Sequence, residues 1–406
     1  MAEEEIKVVN YPKGAAIVVQ NAVNPGLFYI VRSGNVAVDS EHIQIDHELS
    51  NYNPGDSFGL VSALTEHHFL VTLFAQTDVE LLQIPIRLLG SFLKGNKDLA
   101  MKILRLYSHE LRALQRNLSR ANQPADREYL PEKLIHNAKT YLSWQKPALA
   151  SHSLHRFLEW AKENQTSSSM IKEAEDLLRQ LNTNTRPMEW KSQKSSLAAG
   201  EILFVESEMN RDIFVVLEGN VKLFSIVRGF EYVIDVLGVG EIFGEMSLID
   251  NASRMASAVT ETPSVILRVT PENIFESVGQ SLLQKVFESI ARRIWFSHQR
   301  LIILRMQSPV KRLYAFLYNS IRDQDIRKST NLTTSYASTY TFPIAFEELC
   351  SMCGIIKIKK ESIHEFLTDS NIQIERDRIH VKSRKRVEEK LGQYKTKQGQ
   401  ILAKLG

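Results

Sequence analysis

Phe243-Gly244-Glu245-Met246-Ser247-Leu248-Ile249-Asp250-Asn251-Ala252-Ser253-Arg254-Met255-Ala256-Ser257 sets one glutamate and one arginine nine residues apart, behind a glycine. A glycine lets the backbone approach a ligand closely, and a short helical turn opening after it presents free N–H groups that suit an anion. In that setting Arg254 can clamp phosphate oxygens with its planar fork. Glu245, which accepts but does not donate, takes hydrogen bonds from a sugar hydroxyl. The same two side chains could form a surface salt bridge beside a turn, and spacing alone favours neither reading.

The run resembles the phosphate-binding cassette of cyclic-nucleotide-binding domains, where Phe-Gly-Glu, a small residue, Leu and then an arginine followed by small residues hold the cyclic phosphate and ribose. The resemblance implies ligand contacts from Gly244, Glu245, Met246, Ser247, Arg254 and Met255. Glu245 would take the ribose hydroxyl, Arg254 the exocyclic phosphate oxygens, and the amides of the turn the rest. Ser253 stands where the family usually has proline, and Met255 where a hydroxyl residue is often found. Without that hydroxyl to meet a guanine, cyclic AMP is expected to bind better than cyclic GMP; a cyclic dinucleotide is a further candidate.

With 406 residues, 43% of them hydrophobic and 24% charged, the chain has room for two or three domains and the composition of a soluble globular protein. Met1-Ala2-Glu3-Glu4-Glu5 is acidic and leads into no apolar segment, and no run of about eighteen apolar residues occurs. A cytoplasmic protein without membrane contact is expected. Cys350 and Cys353 are too few for a disulfide framework. As a lone Cys-x-x-Cys they lack a second pair for a metal, and packing inside a helix is expected instead.

Outward from the opening stretch the chain repeats. Gly34-Asn35-Val36 matches Gly219-Asn220-Val221, Gly55 matches Gly240, Phe58-Gly59 matches Phe243-Gly244, and Ser62 matches Ser247, always 185 positions apart. Short β-type runs such as Leu27-Phe28-Tyr29-Ile30-Val31, cut by Asn24-Pro25-Gly26 and Ser33-Gly34, indicate a small β-roll or sandwich in each copy. A helical period follows from Ile84 to Ser119 in the first copy and from Pro271 to about Gln307 in the second. In the first copy Leu60 replaces Glu245 and Phe69 replaces Arg254, so a phosphate there would be buried without a countercharge. That copy is read as degenerate, with His67 and His68 solvated.

Between the copies, apolar periods around Leu134, Leu154 and Ile171 indicate three helices, broken near Pro147 and at residues 165–169. A passive spacer is at least as good a reading as any binding role. From residue 309 onward, 18 lysines and arginines face 11 acids, a net +7, which leaves −4 of the chain's +3 for the first 308 residues. A basic domain behind a slightly acidic one suits DNA binding, though charge alone also fits a solvated surface. Two short helices, Phe346 to Cys353 closing on Gly354 and Lys360 to Leu367, precede two strands at 372–374 and 379–381. That is the order of a winged helix-turn-helix.

This region resembles the DNA-binding domain of the cyclic-AMP receptor protein and fumarate-nitrate reduction regulator family, whose second helix enters the major groove. The resemblance implies DNA contacts from Lys357, Lys359, Lys360, Glu361, His364 and Arg378. Two departures are the longer turn after Gly354 and Glu365 at a position where the family has arginine. In the helix before this region, Phe287, Ile290, Ile294, Ser297, Leu301 and Leu304 form a seam suited to a twofold homodimer or to packing on the first copy's Leu104–Leu118 helix. The homodimer is preferred, and by resemblance Ser297 and His298 would reach the purine.

The expected architecture is α+β: two cyclic-nucleotide-binding-like β-rolls (1–121 and 195–308), a helical connector (122–194) and a winged helix-turn-helix (309–406). The expected function is a bacterial-type transcription regulator that binds a cyclic nucleotide and double-stranded DNA. The alternative is a regulatory subunit resembling that of protein kinase A, acting on a protein partner without DNA. No nucleophile–base pair or metal set points to an enzyme.

Overall fold

Strand pairing repeats along the chain as faithfully as the sequence does. The computed structural model describes residues 5–39, 51–122, 130–164, 166–181, 183, 185–227, 229–245, 253–270, 279–329, 339–355 and 359–392. The first roll contains β1 (Lys7–Tyr11), β2 (Ala16–Val18), β3 (Leu27–Ser33), β4 (Val36–Asp39), β5 (Asn51–Tyr52), β6 (Ser57–Phe58), β7 (Thr72–Ala75) and β8 (Val79–Pro85). They form two antiparallel sheets, in the orders β1-β8-β3-β6 and β2-β7-β4-β5.

The second roll contains β9 (Lys194–Leu197), β10 (Ile202–Phe204), β11 (Ile213–Glu218), β12 (Val221–Val227), β13 (Phe230–Leu237), β14 (Ile242–Phe243), β15 (Ser257–Thr260) and β16 (Ser264–Val269). Its sheets have the equivalent orders, β14-β11-β16-β9 and β10-β15-β12-β13. From β3 and β11 onward the register is kept at the 185-residue offset, while β9 and β10 pair one residue later than β1 and β2 would predict. Phe28 faces Ile84 and Ile213 faces Val269; Val36 faces Ala75 and Val221 faces Thr260. Both copies slip at the same point, between Val31 and Ser33 and between Val216 and Glu218. Gly34 and Gly219 hold equivalent turns at φ of +81° and +79°, where a Cβ would lie 2.2 Å from the Asp78 carbonyl oxygen or 2.3 Å from Ser264 Oγ. Only glycine fits such an approach.

Helices complete the first copy: α1 (Leu60–Thr65), α2 (Leu89–Lys94) and α3 (Lys97–Asn122). The helical period read from Ile84 starts slightly early, because Ile84 still belongs to β8, where its side chain is buried. The connector is α4 (Lys133–Ser143), α5 (Pro147–Glu163) and α6 (Ser168–Gln180), with Pro147 in the first turn of α5, where its missing N–H costs nothing. It is no passive spacer. Leu134, Ala138, Tyr141, Leu154 and Phe157 share one buried cluster with Ile202, Val205, Phe224 and Ile226 of the second roll. The second roll leads into α7 (Gly279–Leu304); the residues just before it, including Pro271, lie outside the described residues.

The chain divides into two compact units, Met1–Gly229 with Leu237–His298, and Phe230–Val236 with Gln299–Gly406. The second unit contains α8 (Pro309–Ser329), α9 (Phe346–Met352), α10 (His364–Leu367) after a 3-10 turn at Lys360–Ile363, and β17 (Tyr340–Phe342), β18 (Ile372–Ile374) and β19 (Ile379–Val381) in the order β17-β19-β18. Its core gathers Leu313, Tyr314, Leu317, Leu349, Phe366 and Val381, and both cysteines are free and buried in it. No described helix is long and apolar enough to cross a membrane.

Candidate ligand pocket and polar helix

Gly244 ends β14 in the left-handed region, at φ +84°. A Cβ there would stand 2.7 Å from Arg254 Nη1 and 2.8 Å from the Asp212 carbonyl oxygen, so glycine is what admits the guanidinium. Arg254 is buried. Its Nη1 donates to the Gly244 carbonyl at 2.7 Å, and its Nη2 donates to the Asp212 carbonyl at 2.6 Å and Asn210 Oδ1 at 3.0 Å. The guanidinium also lies 4.2 Å over the Phe204 ring. Burial pulls its pKa down to about 10 although Glu208, Asp212 and Glu245 act the other way, and it stays cationic at neutral pH.

Glu245 is also buried, which excludes the solvated surface pair. Arg293 Nη1, from α7, donates to Glu245 Oε1 at 2.6 Å, and Oε2 has no hydrogen-bond partner among the described residues. A buried, unsatisfied carboxylate oxygen is an acceptor in want of a donor. Arg293 escaped the sequence reading because it sits 48 residues away. Its one available signal is position, a helical turn before Ser297 on the same face. Met255 and Ser253 are buried beside Arg254. Met246 and Ser247 lie outside the described residues.

The first copy serves the equivalent backbone acceptors without an arginine. Leu60 and Phe69 are buried, with Phe69 in the roll's own core. The carbonyls equivalent to those of Asp212 and Gly244 are those of Leu27 and Gly59, and both accept from Asn24 Nδ2, at 2.9 and 3.0 Å. An uncharged amide thus takes over the two backbone acceptors that Arg254 serves in the second copy.

Ser297 and His298 are buried on α7, and His298 Nε2 lies 3.6 Å from Glu110 Oε1 of α3. One turn earlier on α7, Trp295 stacks on His67 at 3.7 Å between ring centroids and 11° between planes. His67 is therefore not solvated as expected: the indole covers it. Both contacts place part of α7 against the first copy of the same chain.

In the second unit, Lys359, Lys360, Glu361 and His364 are exposed, while Ile363 and Phe366 turn into the core, where Phe366 meets Tyr314 and Phe346. The alternation leaves one polar face on this short helix. Glu365 pairs with Lys390 at 3.0 Å. Arg378 is exposed in the turn between β18 and β19, 3.7 Å from Asp377. Lys357 lies outside the described residues.

The family model of the cyclic nucleotide-binding domain matches this chain twice, at residues 8–96 and 194–280. The chain carries two cyclic nucleotide-binding domains. A cyclic AMP receptor protein of Thermus thermophilus is 30% identical over 122 residues, 29% of this chain and 56% of that relative, so the chain spans about half the length of that curated relative. Among solved structures, a CRP-family transcriptional regulator from Thermus thermophilus is similar over 49% of this chain and 96% of its own, at 18% identity and a TM-score of 0.37. A regulatory subunit of a cAMP-independent protein kinase A from Trypanosoma cruzi is similar over 66% of this chain and 72% of its own, at 12% identity and a TM-score of 0.20. Of the two cyclic nucleotide-binding domains, only the second holds buried charge at the Glu245 and Arg254 positions. Among the described residues no cluster of three or more His, Cys, Asp or Glu could hold a metal.

Proposed function

We propose that the chain is a ligand-responsive DNA-binding regulator: its second cyclic nucleotide-binding domain binds a cyclic nucleotide, cyclic AMP before cyclic GMP, and residues 309–406 act as a winged helix on double-stranded DNA. One observation carries this reading. Two domains of equivalent strand order differ where a ligand would sit, and among the described residues only the second holds, at the Arg254 and Glu245 positions, a buried arginine and a buried carboxylate with one oxygen lacking a hydrogen bond. Glu245 Oε2 takes the ribose hydroxyl, and Arg254 exchanges its carbonyl partners for phosphate oxygens. Lys359, Lys360, His364 and Arg378 face the DNA, with Glu361 on the same surface.

The contacts of Trp295 with His67 and of His298 with Glu110 favour a pairing within one chain over the homodimer, leaving a single reading head per particle. Arg254→Ala removes a charge-assisted clamp and is expected to cost about 3 kcal/mol of cyclic AMP affinity, roughly a hundredfold, by calorimetry. Equal affinity in the variant refutes the pocket. Lys359→Glu with Lys360→Glu should abolish salt-sensitive binding to duplex DNA and spare nucleotide binding. If the intact chain retains no DNA at low salt yet binds nucleotide, the role moves to a regulatory subunit acting on a protein partner.

A further inference from the structure

The backbone of Arg254 is built into a loop that the helical connector holds. Its N–H donates to the Glu208 carbonyl at 2.8 Å, and its own carbonyl accepts from Ser207 N–H at 2.8 Å. Ser207 occupies the left-handed region, at φ +73°, which a serine adopts only where its surroundings fix it. What fixes it is Glu208, whose carboxylate is fully buried. Oε2 accepts from Val205 N–H at 3.0 Å and lies 3.0 Å from His152 Nε2 of α5, and Oε1 forms an ion pair at 3.0 Å with Arg156 Nε, one helical turn further along α5.

A second attachment comes from α4, three residues past the arginine. Tyr141 OH and Ser257 Oγ lie 2.8 Å apart, Ser257 Oγ accepts from Glu206 N–H at 2.9 Å, and Asn137 Nδ2 donates to the Glu206 carbonyl at 3.0 Å. Every one of these groups is buried. Phe157 of α5 and Val205, next to the loop, belong to one buried apolar cluster.

We infer that the helical connector is part of the ligand-binding site: His152 and Arg156 are positioning residues that hold Arg254 in place through Glu208, so the second domain takes up its nucleotide only with α4 and α5 docked on it. This rests on the assignment of Arg254 to the ligand phosphate. Burial drives the Glu208 carboxyl upward, but the hydrogen bond and charge of His152, the charge of Arg156 and the Val205 amide outweigh it and hold Glu208 ionised. Removing Arg156 would leave that buried charge undercompensated, and the cheapest relief is for the Ser207–Glu208 loop to turn toward solvent, taking the Arg254 backbone with it.

The test uses the full chain carrying Arg156→Ala or His152→Gln. Titration with cyclic AMP should show affinity roughly tenfold weaker in each, the size usual when a residue orienting a ligand-contacting group is lost. Hydrogen exchange in the ligand-free chain should quicken at the Ser207 and Arg254 amides and stay unchanged in the first roll. Arg156→Lys, which keeps the charge without the fork, replaces Arg156→Ala if that variant does not fold, and should fall between it and the parent. Parental affinity in the folded variants overturns the inference. If the parent itself binds no cyclic nucleotide, the assigned ligand is wrong. The exchange measurement then decides alone: unchanged exchange at both amides overturns the coupling, and faster exchange sustains it.

Discussion

Arg300, on the last turns of α7, is the buried tie of the second unit. Its Nε donates to the Met352 carbonyl at 3.2 Å, Nη1 to the Ile234 carbonyl at 2.5 Å, and Nη2 to the Val233 carbonyl at 3.1 Å and Tyr232 OH at 2.6 Å. The guanidinium also stands 5.1 Å from the Tyr232 ring centroid. Two chain segments distant in sequence thus converge on one side chain of a third. Arg300→Met keeps the apolar stem and leaves these acceptors without their donor. Val233 and Met352 are buried, whereas Ile234 is partly accessible and can recruit water. An orphaned buried acceptor costs about 1–3 kcal/mol, and with the lost charge-assisted bonds the variant should lose about 3–5 kcal/mol. All four tryptophans, Trp144, Trp160, Trp190 and Trp295, belong to the other unit, so their emission in urea serves as an internal control. Hydrogen exchange in segments 230–236 and 346–352 reads the effect. A loss below 1 kcal/mol there would mean that Arg300 is not what ties these segments.

Calorimetry with cyclic AMP should return one site per chain, because Leu60 and Phe69 fill the first copy; two equivalent sites refute that. Light scattering should find particles of 46.4 kDa with and without nucleotide, and a dimer at micromolar concentration would contradict the pairing of α7 within its own chain. Burial raises the Cys350 thiol to about 12, with Glu347 adding to it, and raises Cys353 as well. Both should resist a thiol reagent at pH 8 until urea is added. Since the folded pKa exceeds the ordinary 9.0, the unfolded chain loses these protons first. Their contribution to stability is therefore complete below about pH 9 and is lost as pH climbs toward 12, which denaturant titrations across that range would measure.

The repeat was legible because turns and strand ends need particular residues. Gly34 and Gly219 cannot be replaced without a clash, so their spacing survives in the letters, and register follows from it. The contrast of Leu60 and Phe69 with Glu245 and Arg254 was legible for the same reason: each copy serves as the other's reference. The helix-and-strand order at 346–381 could be read from local periodicity. What stayed hidden are contacts between distant segments whose partners have no fixed spacing: Arg293 on Glu245, Asn24 on the Gly59 carbonyl, Trp295 on His67, and Arg156 with His152 on Glu208. The connector looked passive because its polar positions, His152 and Asn137, read as ordinary helix residues until their buried partners are seen. That Phe230–Val236 belongs with the C-terminal unit follows from contacts such as those of Arg300, of Val233 N–H with Ser351 Oγ and of Val236 with the core, none of which has a motif.

Asn24 serves its two carbonyls without any alternative partner of ligand type, whereas Arg254 serves the equivalent pair only while nothing competes for it. On the proposed assignment of Arg254 to the ligand phosphate, binding must detach the guanidinium from the Gly244 and Asp212 carbonyls and from Asn210, and those bonds count against the new ones. These ties would then set a threshold. If the tied form outweighs the released form tenfold, about 1.4 kcal/mol, the apparent dissociation constant rises by the same factor. A small amide at the Met209–Asn210 turn that served those carbonyls as Asn24 does would lower the threshold, yielding a domain that responds to less nucleotide and discriminates less between a resting and a rising supply.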